Sequence, residues 1–132
     1  MTTASVGIVL VSHSAELAEG AANLAGQVSG GTVTIVAAGG TDDGDLGTSA
    51  AKVSRAIRQA DQGAGVVVLP DLGSAVLTVR AVLEDYGSAN GVLLADAPFV
   101  EGAVAATVIA AAGGDLKAVA AAAEEARHAR KL

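Results

Sequence analysis

The chain has no cysteine, which excludes a disulfide framework and a cysteine nucleophile together. Its opening residues lack the positively charged segment that begins a secretory signal, so a cytoplasmic location is expected. Aromatic residues are nearly absent, with one tyrosine and one phenylalanine, and the 8 basic residues are scattered against 14 acidic ones for a net charge of −6. Neither a phosphate-tracking basic groove nor a stacking platform can be built from this, and no nucleic-acid partner is expected. Although 52% of the residues are hydrophobic, no apolar run approaches the roughly 20 residues needed to span a bilayer. No membrane association is expected either. The sequence also lacks a GxGxxG turn, a Walker P-loop and a Gly-x-Ser-x-Gly elbow, so nucleotide binding and serine-hydrolase chemistry have no local signature.

What is present is a set of short buried blocks separated by turn residues. Val6 to Val11 is almost wholly aliphatic and β-branched, as a strand buried on both faces should be, and it ends abruptly in Ser12-His13-Ser14. Ser14 can cap a helix from Ala15 to Gln27, with Leu17, Ala21, Leu24 and Val28 as its buried stripe. Thr32 to Ala38 reads as a second strand, followed by a long polar loop from Gly39 to Ser49 and a helix from Ser49 to Gln62 buried through Val53, Ile57 and Ala60, with Lys52 and Arg55 outward. Val66 to Leu69 is a third strand, ending in Pro70-Asp71-Leu72-Gly73-Ser74 before a helix from Ser74 to Tyr86. Gly91 to Ala95 is a fourth, followed by Asp96 and a helix from Glu101 to Ala112 with Val104, Val108 and Ile109 inward. Asp115 caps a last helix held by Leu116, Val119 and Ala123. This alternation predicts an α/β fold: one domain over residues 1–132, a three-layer α/β/α sandwich on a mainly parallel sheet of at least four strands, with right-handed crossovers.

In such sheets ligands and chemistry collect at the carboxyl edge. His13 and Asp71 each follow a buried strand there, and a carboxylate accepting one ring N–H would fix the tautomer and free the other nitrogen to attack. The bland readings are a helix-initiating turn residue for Asp71, a solvated surface loop for residues 39–49, and a solvated His128 in a basic tail. Asp96 is a weaker site candidate than Asp71. A metal site from His13 with Asp42, Asp43 or Asp71 has no motif spacing behind it. A histidine that accepts and donates a phosphoryl group fits better: the helix N-terminus after His13 favours an anion attached to the ring, and Ser14, Thr48, Ser74 and glycine turns such as Gly40 can supply donors. No positive side chain is obvious beside His13, which suits a carrier, because strong stabilisation of the group would hinder its onward transfer.

At these residues the chain resembles a family. The blocks IVLVSHSAELAEG, GGTDDGDLGTSAAKV, LPDLGSAVLTVRAVLED and APFVEGAVAATVIAAAGGDL are together similar to the phosphotransfer subunits of bacterial dihydroxyacetone kinases. Those subunits share the fold of the mannose-type IIA components of the phosphoenolpyruvate sugar phosphotransferase system. The resemblance implies that His13 takes a phosphoryl group from the phosphocarrier HPr, at Nε2, and passes it to ADP held on the kinase's nucleotide-binding subunit, with Asp71 in the supporting turn. It implies a homodimer, and no cofactor on this chain, ADP and ATP belonging to the partner subunit. Some relatives continue into HPr-like and enzyme I-like domains. The alternatives are a sugar-transport IIA component delivering to a IIB protein, and a non-catalytic module whose binding depends on phosphorylation of His13.

Overall fold

The computed structural model describes residues 4–86 and 91–132. The elements alternate as β1 (Gly7–Ser12), α1 (Ala15–Val28), β2 (Ile35–Gly39), α2 (Ala50–Ala60), β3 (Val66–Pro70), α3 (Gly73–Tyr86), β4 (Val92–Leu94), α4 (Phe99–Ala111) and α5 (Leu116–Glu125), with a short 3₁₀ turn at Ala126–His128. All three strand pairings are parallel, in the order β2-β1-β3-β4. The two central strands, β1 and β3, are buried along their whole length, which is why they lack the apolar/polar alternation of a half-exposed strand.

Side chains alternate between two cores. Ile8, Leu10, Val67 and Leu69 point to one face, where Ala21 and Ala25 of α1, Ala103, Ala106 and Ala110 of α4 and Val119 of α5 meet them. Val9, Val11, Val66 and Val68 point to the other, under Val53, Ala56 and Ile57 of α2 and Ala75, Val79 and Val82 of α3. This is the expected three-layer sandwich.

Two helix faces differ from expectation. In α1 the buried residues are Ala18, Ala21 and Ala25, while Leu17, Leu24 and Val28 are 45%, 48% and 52% exposed. The stripe is rotated because α1 packs too tightly for leucine: a Cβ added to Gly39 at the end of β2 would lie 2.5 Å from the Ser14 carbonyl oxygen and 2.9 Å from Ala18 Cβ. In α4 the buried face is Gly102, Ala103, Ala106, Thr107 and Ala110, with Val108 exposed and Val104 and Ile109 only half-buried. The cause is again close approach, since Gly102 sits where a Cβ would come within 3.0 Å of Leu69 Cδ2. In α2 and α5 the expected residues Val53, Ile57, Ala60, Val119 and Ala123 are buried.

The register sets the site. Val11 pairs with Pro70, and the ladder runs one step further through the Asp71 N–H, which donates to the Val11 carbonyl at 2.9 Å. The chain segments carrying His13 and Asp71 therefore leave the sheet side by side and at the same height.

Candidate active site

From β1 the chain crosses to β2 on one side, and from β2 it returns past β1 to β3 on the other. The loops leaving β1 and β3 thus diverge, and the crevice between them is the switch point where parallel sheets hold their sites. His13 and Asp71 stand on its two sides. The His13 side chain is 23% exposed and that of Asp71 8%.

Asp71 is saturated with donors. Its Oδ1 accepts from the ring Nδ1 of His13 at 2.9 Å and from the Leu72 N–H at 2.7 Å. Its Oδ2 accepts from the Ser12 hydroxyl at 2.9 Å and from the His13 backbone N–H at 3.0 Å. Burial pushes the carboxyl pKa up, but the backbone and ring donors of His13, the Ser12 hydroxyl and the Leu72 N–H together outweigh it and hold the pKa below its ordinary value. An ionised carboxylate can only accept, so Nδ1 carries the ring proton. In the neutral ring the lone pair is then on Nε2, where the Ser74 hydroxyl donates to it at 2.5 Å. The result is a fixed tautomer with its nucleophilic nitrogen on the open side.

The remaining residues predicted for the site take distinct places. Ser14 caps α1, its hydroxyl oxygen accepting from the Leu17 N–H at 3.2 Å. Gly40 has a φ of 76° and donates its N–H to the Ser12 carbonyl at 3.1 Å, so glycine serves the turn there and its donor is already used. The Thr48 hydroxyl bonds that of Thr78 at 2.7 Å, fastening the β2–α2 loop to α3. That loop also donates the Gly47 N–H to the His13 carbonyl at 2.9 Å, so it is a wall of the site. Lys52, expected to point outward, turns back and donates to the Gly39 carbonyl at 3.0 Å.

Asp42 accepts from Ser49, and among the described residues no group of three or more histidine, aspartate or glutamate side chains is placed to hold a metal ion. Asp96 serves the carboxyl-terminal segment: its N–H donates to Glu124 Oε2 at 3.1 Å, while Arg127 bonds both its carbonyl and its carboxylate. His128 is exposed in the terminal 3₁₀ turn. In the sequence Ser12 marks only the polar end of the first strand, beside His13. Its full burial at the last position of β1 is the feature that makes it part of the site, because a buried hydroxyl needs a partner.

Among the described residues no helix is long and apolar enough to cross a membrane. Comparison with known proteins agrees with the fold. The family described as PTS system fructose IIA component, EIIA-man, matches residues 7–120. A phosphoryl donor subunit DhaM of PEP-dependent dihydroxyacetone kinase from Pantoea ananatis is 44% identical over 86% of this chain, which spans 25% of that protein. The corresponding subunit of dihydroxyacetone kinase 2 from Listeria innocua is 38% identical over 78% of this chain and 84% of its own length. A crystal structure of a protein of unknown function superposes with a TM-score of 0.82 at 34% identity, covering 92% of this chain and 94% of that one. The match across nearly the whole sheet and its helices means that this chain belongs to the EIIA-man family, the PTS system fructose IIA component.

Proposed function

We propose that this chain is a phosphohistidine carrier in which His13 accepts a phosphoryl group at Nε2 and hands it on. The observation that carries the reading is the ring itself: Nδ1 is pinned by an ionised Asp71, leaving the Nε2 lone pair on the open side. In the first transfer that lone pair attacks phosphorus while the bond from phosphorus to the donor breaks. The ring becomes cationic with its Nδ1 proton retained, and Asp71 at 2.9 Å neutralises it. In the second transfer an acceptor oxygen attacks phosphorus, the P–N bond breaks and its electron pair returns to Nε2. Asp71 keeps its charge throughout and no proton need leave the site.

Ser74 must release Nε2 before attack, and its hydroxyl is then free to donate to a phosphoryl oxygen. The N–H groups of Gly73 and Ser74, in the first turn of α3, have no acceptor within that helix and suit the same anion. Ser14 and Thr48 lie on the flanking α1 cap and loop as further donors, with Gly40 shaping the turn behind them. The described hydrogen bonds and ion pairs of the His13 ring reach only Asp71 and Ser74, and the lack of a clamping cation suits a group that must leave again.

The relatives named as phosphoryl donor subunits of PEP-dependent dihydroxyacetone kinases support such a kinase as the destination; we propose that phospho-HPr supplies the group and that ADP on the kinase's nucleotide-binding subunit receives it as ATP. On this reading the chain binds no cofactor of its own, works in the cytoplasm and pairs as a homodimer. The test is reconstitution with phosphoenolpyruvate, enzyme I, HPr, the two kinase subunits, ADP and dihydroxyacetone. Dihydroxyacetone phosphate should form only when this chain is present. Transfer to a IIB protein with none to the kinase would replace the kinase assignment by the sugar-transport one.

A further inference from the structure

We infer that Ser12 is a positioning residue for phosphoryl transfer, acting through Asp71 by fixing which carboxylate oxygen faces the His13 ring. The inference rests on the phosphohistidine reading above. Ser12 is fully buried at the carboxyl end of β1, and both of its hydrogen-bonding capacities are used. It donates to Asp71 Oδ2 at 2.9 Å and accepts from the Ser14 N–H at 3.0 Å.

A carboxylate next to a histidine can swing about its own bond. If Asp71 were held only by the ring and the Leu72 N–H, both on Oδ1, the ring bond would be free to bend and lengthen as that group rocks. The Ser12 hydroxyl and the His13 N–H grip Oδ2 instead, so the plane of the carboxylate is set by donors on both oxygens. The His13 N–H is fixed by the backbone, which leaves Ser12 as the side chain that completes the grip. Its acceptance from Ser14 N–H ties the same oxygen to the start of α1, so the turn carrying His13 and the carboxylate orienting it share one hydroxyl. Alanine would fill the strand equally well but would free Oδ2 of one of its two donors.

The test compares wild type with Ser12→Ala, Asp71→Ala and the double variant, measuring phosphoryl transfer from phospho-HPr, thermal unfolding, and the ¹⁵N shifts of the His13 ring in the unphosphorylated protein. Loss of a hydrogen bond to an ionised group should slow transfer about tenfold in Ser12→Ala. The ring shifts should move from a single Nδ1–H tautomer toward a mixture. The double variant should be no slower than Asp71→Ala alone, since one residue acts through the other. A structural role only would lower thermal stability, leave the tautomer in place and multiply in full onto the Asp71→Ala defect, and that pattern overturns the proposal. Ser12→Cys, with a weaker donor of similar shape, should fall between serine and alanine in rate and tautomer, and it supplies the comparison if alanine unfolds the strand end. If His13→Ala still accepts phosphate, the phosphohistidine reading fails, whereas an unchanged ring tautomer in Ser12→Ala sinks this inference alone.

Discussion

Asp71 and Asp96 look alike in sequence, each a carboxylate just past an apolar strand of the same sheet, yet their surroundings differ in kind. Asp71 follows a central strand, has an 8% exposed side chain and holds four donors, two of them from His13. Asp96 follows the short β4 at the sheet edge, has a 92% exposed side chain, and engages Arg127 from the carboxyl-terminal turn. What separates them is place in the topology. The chain reverses its direction of winding between β1 and β3, so loops part there and leave room for a site. After β4 the loop instead meets the carboxyl-terminal 3₁₀ turn, where Arg127 bonds both the carbonyl and the carboxylate of Asp96. An ion pair as exposed as that one contributes little, whereas a desolvated carboxylate with fixed donors sets the chemistry of whatever it touches.

The largest expected difference is in rate. Asp71→Ala should slow phosphoryl transfer by about a hundredfold or more, since an unfixed ring loses both its tautomer and the anion that balances its charge. Asp96→Ala should transfer within about twofold of wild type, no hydrogen bond linking it to His13. Rates measured for both variants with the same donor decide this, and equal losses would erase the distinction.

A smaller difference should appear in acid. Because the folded Asp71 pKa is held below its ordinary value by its four donors, its contribution to stability is complete above the unfolded value and is lost as the pH falls through the folded one. Wild type should therefore lose stability on acidification below about pH 4 more steeply than Asp71→Asn, which has no such proton to take up. Denaturant unfolding between about pH 5 and about pH 2 measures the two slopes. Parallel slopes would mean that the four donors do not hold the carboxylate as the geometry requires.

Much of this arrangement is legible in the chain itself. Long β-branched runs such as Val6 to Val11 and Val66 to Leu69 mark central strands, and the polar residues that end them mark the sheet edge. The pairing of His13 with Asp71 follows from that alone. The faces of α1 and α4 do not follow, because alanine is both a good helix former and small enough for the closest packing, so alanine-rich helices offer several stripes of equal merit. The structure buries Ala18, Ala21 and Ala25 of α1 and Gly102, Ala103, Ala106 and Ala110 of α4, and leaves Leu17, Leu24 and Val108 outside. Ser74 was one donor among several in the sequence, and only the geometry of the α3 start brings its hydroxyl to Nε2. Gly40 had a plausible free N–H until the turn committed it to Ser12. The partner of a backbone donor depends on loop conformation, which residue type does not encode.

The most direct measurement is the site of labelling after incubation with radiolabelled phosphoenolpyruvate, enzyme I and HPr. One acid-labile phosphoryl group should appear per chain, persist in His128→Ala and vanish in His13→Ala while that variant remains folded. Label retained by folded His13→Ala would contradict the account at its centre.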